Sequence, residues 1–518
     1  MRNFRHLCTV ALAAGLLAAC EGGSSGGAVN TSGTAGALIY NPPVRVGSVT
    51  AAAFTAQLGT TASGQALLGL LTQAHMLPVC GIDFHYIVYN TVGGTGEATT
   101  ASGALMVPTG PAGTCSGKRP IVLYAHPTAA TRGYNMANPN DTTNEAAEAS
   151  ALVAAMFAAQ GYIVVAPNYA GYDISPLPYH PFVVAQAVSQ DMINALGASR
   201  QALGHIAAAT TLDSGQLFIT GYSEGGYVAM ATHRAMQAAG MTVTASAPMS
   251  GPYALEANND AINFGAVDIA ATVFFPLFAS GYQNTYHNLY NATTDIFALP
   301  YANWVGSLMP GPLTFTELLA QNKVPQPVFD STTPVTGNST IDALLAVPNS
   351  PLAPLGYGNP YLVNNTFRVG YGLDAAASPD GALASTPPPP GAPLAANPMY
   401  PFRQDLKLND MRYGNWVPGA PTLMCGGNSD PEVFFLNTQV MQAFWEPLPL
   451  PAGLITVLDV DSAPTGPSDP FALVKLGFAQ AKAATAAAGG AAAVLQDYHG
   501  MLVPPFCTLA AAGFFKNF

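Results

Sequence analysis

Charge is what this sequence has least of. Only 8% of its 518 residues are Asp, Glu, Lys or Arg, against about a quarter in ordinary soluble domains, so the exposed surface must be built largely from Gly, Ser, Thr, Asn, Pro and Ala. The 16 basic residues are outnumbered by 28 acidic ones, giving a net charge of −12 with no basic run, which argues against nucleic acid and other phosphate-rich partners. Cysteine is also scarce, at six residues. No C-x-x-C or Cys/His spacing suggests a metal site, and neither a metal nor a cofactor is expected. No internal repeat is visible. What is abundant is apolar: a hydrophobic content of 49% supports a sizeable core in a chain longer than a typical single domain.

One motif dominates. Gly221-Tyr222-Ser223-Glu224-Gly225 follows directly on the apolar run Leu217-Phe218-Ile219-Thr220, and a strand breaking into G-x-S-x-G is the pattern of a nucleophile elbow, in which flanking glycines let strand and helix approach closely. The same pattern occurs in the glycine-rich segment 22–27, which is too polar to hold an elbow. Ser223 differs in context: a helix-favouring run, Tyr227 to Gln237, follows it and stops at Gly240. In this arrangement an acid and then a histidine follow the serine along the chain. Of the downstream histidines, His233 falls in the helix after the elbow and His287 in a stretch rich in Tyr and Asn. His499 is therefore the candidate base, expected in a loop beyond a late strand at Ala491 to Leu495. Asp430, after the buried strand-like run Pro421 to Gly427, is the candidate acid, with Asp459 or Asp461, after Leu454 to Leu458, as the alternatives.

The three residue types belong together because a serine hydroxyl is a poor nucleophile until a base takes its proton, and the base must be held in the right tautomer. The resulting oxyanion needs two backbone donors. Glu224 N–H would supply one. The other should follow the strand-like run Ile121 to His126, where Pro127 has no N–H and Thr128 is the choice. His126 reads as a structural hydrogen-bonder beside that loop, Asp173 as a carboxylate anchoring a loop, and His75, His85, His180, His205 and His233 as core or surface residues.

Several segments together carry a family resemblance: Val79-Cys80 with Tyr86 to Thr91, Gly96 to Pro108, Leu123 to Thr128, Ala166 to Tyr172, the elbow, Asn415-Trp416-Val417-Pro418, and the loops of Asp430 and His499. From about residue 45 to its end the chain resembles the α/β-hydrolases related to secretory lipases, the fungal lipase A-like family and its bacterial lipase and esterase relatives. It departs from them at His126-Pro127, where the family usually has His-Gly, and at Asn168, where it has aspartate. The resemblance implies a mostly parallel central sheet flanked by helices and hydrolysis of carboxylic esters with an apolar acyl group.

At the N-terminus, Arg2 and Arg5 precede an apolar stretch, Leu7 to Ala19, too short to span a bilayer as a helix. It ends in Leu17-Ala18-Ala19-Cys20, which resembles a bacterial lipobox. Residues 1–19 are then a signal peptide and Cys20 a lipidated first residue; residues 20–40 form a Gly-, Ser- and Ala-rich tether. With Glu rather than Asp after Cys20, the destination implied is the outer membrane, facing the periplasm or the cell surface. Setting Cys8 and Cys20 aside leaves four cysteines in an oxidising compartment and three pairings. The most economical joins Cys80 to Cys115 around a probable hairpin (strands near 83–91 and 99–107), and Cys425 to Cys507 around the acid and base loops.

Strand-like and helical segments alternate along the chain, as an α/β sheet requires. The stretch between Ser250 and the acid strand is too long for a loop, so an inserted cap is expected at residues 251–415, between the sixth and seventh core strands. The hydrolase core would occupy 41–250 and 416–518. Most of the cap's aromatics, from Phe274 to Trp304, should form its own core, and some should face the serine. Two other functions remain open. The same residues could serve an amidase, peptidase, acyltransferase or polyester depolymerase, or the fold could be a non-catalytic surface lipoprotein.

Overall fold

The computed structural model describes residues 33–206 and 210–518. The expected signal segment, Cys20 and most of the tether lie outside the described residues. Eleven strands are present among them: β1 (Val44–Val49), β2 (Gly81–Val92), β3 (Ala98–Thr109), β4 (Gly117–Ala125), β5 (Ile163–Pro167), β6 (Thr211–Tyr222), β7 (Ala245–Met249), β8 (Phe329–Asp330), β9 (Tyr357–Gly358), β10 (Thr422–Gly426) and β11 (Ile455–Asp459). Nine of them form one sheet in the order β1-β2-β3-β5-β4-β6-β7-β10-β11, while β8 and β9 pair separately. The pairs from β1 to β5 are antiparallel, and every pair from β5 to β11 is parallel. β5, β7 and β10 are buried along their whole length, as strands covered by helices on both faces must be. This is the α/β-hydrolase fold.

Two expectations need correcting. β1 was not anticipated: its Val44 and Val46 are exposed on an edge, so its short apolar alternation resembles a loop. With β1 counted, the long insertion follows the seventh strand of the large sheet, not the sixth. The expected late strand at Ala491–Leu495 is also absent, because those residues lie in the helix Ala472–Asp497. Alanine is the best helix former, and the run contains a single β-branched residue, Val494.

The chain between β7 and β10 contributes no strand to the large sheet. Its regular structure is mostly helical, and it is pinned by two fully buried arginines. Arg403 reaches Asp260 at 2.8 Å and Asp374 at 2.9 Å, and Arg412 reaches Asp380 at 2.6 Å and Asp410 at 2.9 Å. Removing one partner of such a pair would leave a buried charge uncompensated, at a cost of roughly 3–5 kcal/mol. Both expected disulfides are formed, Cys80–Cys115 and Cys425–Cys507. The second joins β10 to the C-terminal helix Val503–Phe515.

Candidate active site

Strand β6 ends at Tyr222, and the helix Glu224–Ala238 begins two residues later. Ser223 makes the turn between them at φ 59° and ψ −124°, a strained conformation for a residue with a side chain, worth about 1–3 kcal/mol. It is held there from both sides. Ser223 N–H donates to Met249 O on β7 at 2.9 Å, and Gly226 N–H donates to Ser223 O at 2.8 Å. The glycines are required by space: a Cβ on Gly225 would sit 2.1 Å from Ala125 O, one on Gly221 2.3 Å from Gly225 O, and one on Gly226 2.2 Å from Met249 O.

The structure brings the three expected side chains into one line. Ser223 Oγ lies 2.8 Å from His499 Nε2, and His499 Nδ1 lies 2.7 Å from Asp430 Oδ2. All three are buried. Asp430 is itself fixed, since its Oδ1 accepts the Glu432 and Val433 N–H groups at 3.0 and 3.1 Å. His499 sits not in a loop but on a π-helical turn, Tyr498–Leu502, between two helices, the kind of irregularity that often aims a side chain at functional sites. Its backbone is held by Tyr222 O–H, which donates to His499 O at 2.6 Å. The alternative acids are engaged elsewhere. Asp459 accepts the Asn428 and Asp461 N–H groups, and Asp461 pairs with Lys482 and the Tyr498 hydroxyl. Both support the loop that carries Asp430.

Burial acts to lower the pKa of His499, but Asp430 overcomes it; with Glu432 and Asp268 adding their fields, the imidazole is pushed up to about 9. Neither Glu432 nor Asp268 was singled out in the sequence. Burial raises both, and each is raised further by Asp430.

Glu224 opens its helix, and the first N–H groups of a helix have no intrahelical partner. Thr128 N–H likewise makes no hydrogen bond among the described residues, and both residues line the same cavity as Ser223. His126 accounts for how Thr128 is aimed. Its Nδ1 lies 2.6 Å from Pro127 O; across a planar trans peptide the Thr128 N–H points the opposite way, out of the site that His126 fills. That ring is stacked between Tyr134 and Tyr169, and burial holds its pKa down to about 3, so the neutral ring has one N–H, which the shorter contact claims. Behind the elbow, the Glu224 carboxylate meets His180 Nε2 at 2.6 Å, while His180 Nδ1 donates to Ala170 O. This buried pair was invisible in the sequence, where His180 lies 44 positions from Glu224. Asp173 accepts from Tyr86 and Ser102, as a loop anchor would. Asn168 bonds Met136 N–H and Ser102, so the change from aspartate is absorbed by packing.

The cavity above Ser223 opens to solvent. Phe182, Phe274, Phe275, Phe278, Phe329 and Phe367 dominate its walls, while Tyr282, Phe297 and Tyr301 are buried elsewhere in the insertion. Among the described residues no group of His, Cys, Asp or Glu is arranged to hold a metal, and no helix is long and apolar enough to cross a membrane.

No protein-family model matches the chain, and no curated protein matches it significantly. Solved structures do resemble it. The rice cell wall degrading esterase LipA from Xanthomonas oryzae is 25% identical, with a TM-score of 0.60 over 90% of this chain and 99% of that one. A candidate hydrolase from Legionella pneumophila is 19% identical, with a TM-score of 0.62 over 93% and 97%. More distant is Candida antarctica lipase A, at 11% identity and a TM-score of 0.47 over 83% and 78%. Strand order and elbow agree with the likeness to the bacterial esterase: the chain has the α/β-hydrolase fold and resembles esterases built on it.

Proposed function

We propose that this chain is a serine carboxylic-ester hydrolase acting through an acyl-enzyme on esters with an apolar acyl group. The observation that carries the reading is the hydrogen-bonded line Asp430–His499–Ser223 at the floor of an aromatic cavity. Neutral His499 takes the Ser223 proton on Nε2 as Oγ attacks the ester carbonyl carbon. Asp430 keeps the other nitrogen protonated and stabilises the imidazolium that forms. The carbonyl oxygen becomes an oxyanion held by Glu224 and Thr128 N–H. Collapse expels the alcohol, which leaves with the proton from His499, and water then repeats the sequence in reverse roles to free the acid. The likeness to a bacterial esterase supports ester hydrolysis over amide cleavage. The lipobox-like Leu17-Ala18-Ala19-Cys20 supports export and anchoring at the outer membrane through Cys20, with residues 251–415 acting as a cap over the serine.

A fluorophosphonate probe tests the core of this reading. It should label the native protein and leave Ser223→Ala unlabelled, and the native protein alone should hydrolyse p-nitrophenyl alkanoates. Labelling that survives in Ser223→Ala would place the nucleophile elsewhere.

A further inference from the structure

One helix contributes three amides to the cavity. Asn258, Asn259 and Asn263 lie on the helix Leu255–Asn263 and line the cavity together with Ile262. All three are more than nine-tenths buried, at 8%, 7% and 5% exposure. Only the NH2 end of an amide can donate to a carbonyl, and two of these amides spend one N–H within the helix: Asn259 Nδ2 donates to Leu255 O at 2.9 Å and Asn263 Nδ2 to Asn259 O at 3.0 Å. Each keeps its Oδ1 and one N–H. Asn263 Oδ1 has no hydrogen-bond partner although it is buried, and Asn259 Oδ1 makes no hydrogen bond among the described residues. The two residues are four apart, so they share one helix face.

This face is also anchored. Arg368 donates to Asn263 O at 3.3 Å while its guanidinium lies 4.5 Å over the Phe329 ring, and Asn258 Oδ1 is taken by Asn437 Nδ2 at 2.9 Å. The other polar side chains of the lining are the carboxyls of Glu224, Asp268 and Glu432 and the hydroxyls of Thr128 and Ser223; no lysine or arginine lines it among the described residues. Leaving a buried amide oxygen without a donor is unfavourable, and such groups in folded proteins are usually satisfied. A substrate can supply the missing donor.

We propose that the cavity takes an apolar acyl chain that carries a hydroxyl group, donated to the oxygens of Asn263 and Asn259. The inference rests on the ester-hydrolase reading. The acyl group is the arm that stays bonded to Ser223 after the alcohol leaves, and this cavity reaches that oxygen. A neutral hydroxyl can donate to an amide oxygen and accept from the remaining N–H, whereas an ammonium group would have to shed its water to enter and a carboxylate would meet the carboxyls of Glu224, Asp268 and Glu432.

The test uses a series of p-nitrophenyl ω-hydroxyalkanoates, each paired with the p-nitrophenyl alkanoate one carbon longer, in which methylene and methyl replace the hydroxyl end. At the chain length that fits, native protein should favour the hydroxyl ester by about tenfold in kcat/KM, the loss expected when a buried acceptor goes unsatisfied. Asn263→Leu and Asn259→Leu, checked for folding by circular dichroism, should each bring that ratio towards one. Native protein that hydrolyses both series equally, or that prefers the alkanoate at every length, overturns the inference while leaving the hydrolase reading intact, and so does a preference for an ω-ammonium ester over the hydroxyl ester. If neither series is hydrolysed, both readings fall together.

Discussion

The pH dependence of hydrolysis follows from the surroundings of His499. Only its neutral form accepts the serine proton, and Asp430, Glu432 and Asp268 outweigh burial to push its pKa up to about 9. At pH 7 roughly 1% of the imidazole is neutral, since each unit is a factor of ten. The initial rate at low concentration of a soluble ester, followed by pH-stat titration, should therefore climb about tenfold per unit from pH 7 and level off near pH 9. Asp268→Asn and Glu432→Gln each remove a carboxyl whose ionised form raises the pKa of His499, without touching the serine. Both should move the rise to lower pH, and each unit moved multiplies the rate at pH 7 by about ten. The same proton also carries stability. The folded pKa of about 9 lies above the ordinary imidazole value of 6.5, so the protonated imidazole adds about 3 kcal/mol that is fully present below pH 6.5 and is lost as pH rises through 9. Thermal midpoints should fall over the window in which activity rises. A rate that is already level at pH 7, with its midpoint near 6.5, would refute the field assigned to the three carboxyls.

Three further outcomes are expected. Replacing Cys425 and Cys507 together by serine opens a link of 82 residues, which the chain-entropy account values at about 4 kcal/mol; activity and thermal stability should fall together, whereas breaking Cys80–Cys115 should lower mainly stability, as read by denaturation and ester assay in parallel. His126→Ala frees the Pro127–Thr128 peptide, so kcat should drop by about tenfold or more with KM little changed; steady-state kinetics would show an equal rise in KM if His126 served substrate binding instead. Cys20→Ser should release the protein from the membrane with its activity on soluble esters unchanged, and mass spectrometry of the mature N-terminus should find an acylated Cys20 in the native protein.

The sequence made the elbow legible because steric necessity leaves a mark there: Gly221 and Gly225 have no room for a side chain. Asp430 and the buried parallel strands were readable for a similar reason, as short apolar runs ending in turn residues. His499 was found by elimination, but its setting was misread. An alanine-rich apolar run does not announce whether it is strand or helix when tertiary packing decides, and a π turn has no sequence signature. The residues that tune the site were hidden for another reason. Glu224 meets His180, Asp268 acts on His499 from the chain after β7 and Glu432 from the loop after β10, so each is defined by a contact between distant parts of the chain that no local pattern encodes.

The origin of the cavity wall has a consequence for how such an enzyme can diversify. Ser223, Asp430, His499 and both backbone donors are supplied by chain that builds or flanks the large sheet, whereas Asn259, Asn263 and most of the phenylalanines come from between β7 and β10. On the proposed reading, chemistry and recognition are carried by separate stretches of one chain. Mutations can accumulate in the second stretch, and with them new preferences, while the first goes on cleaving whatever is presented to it.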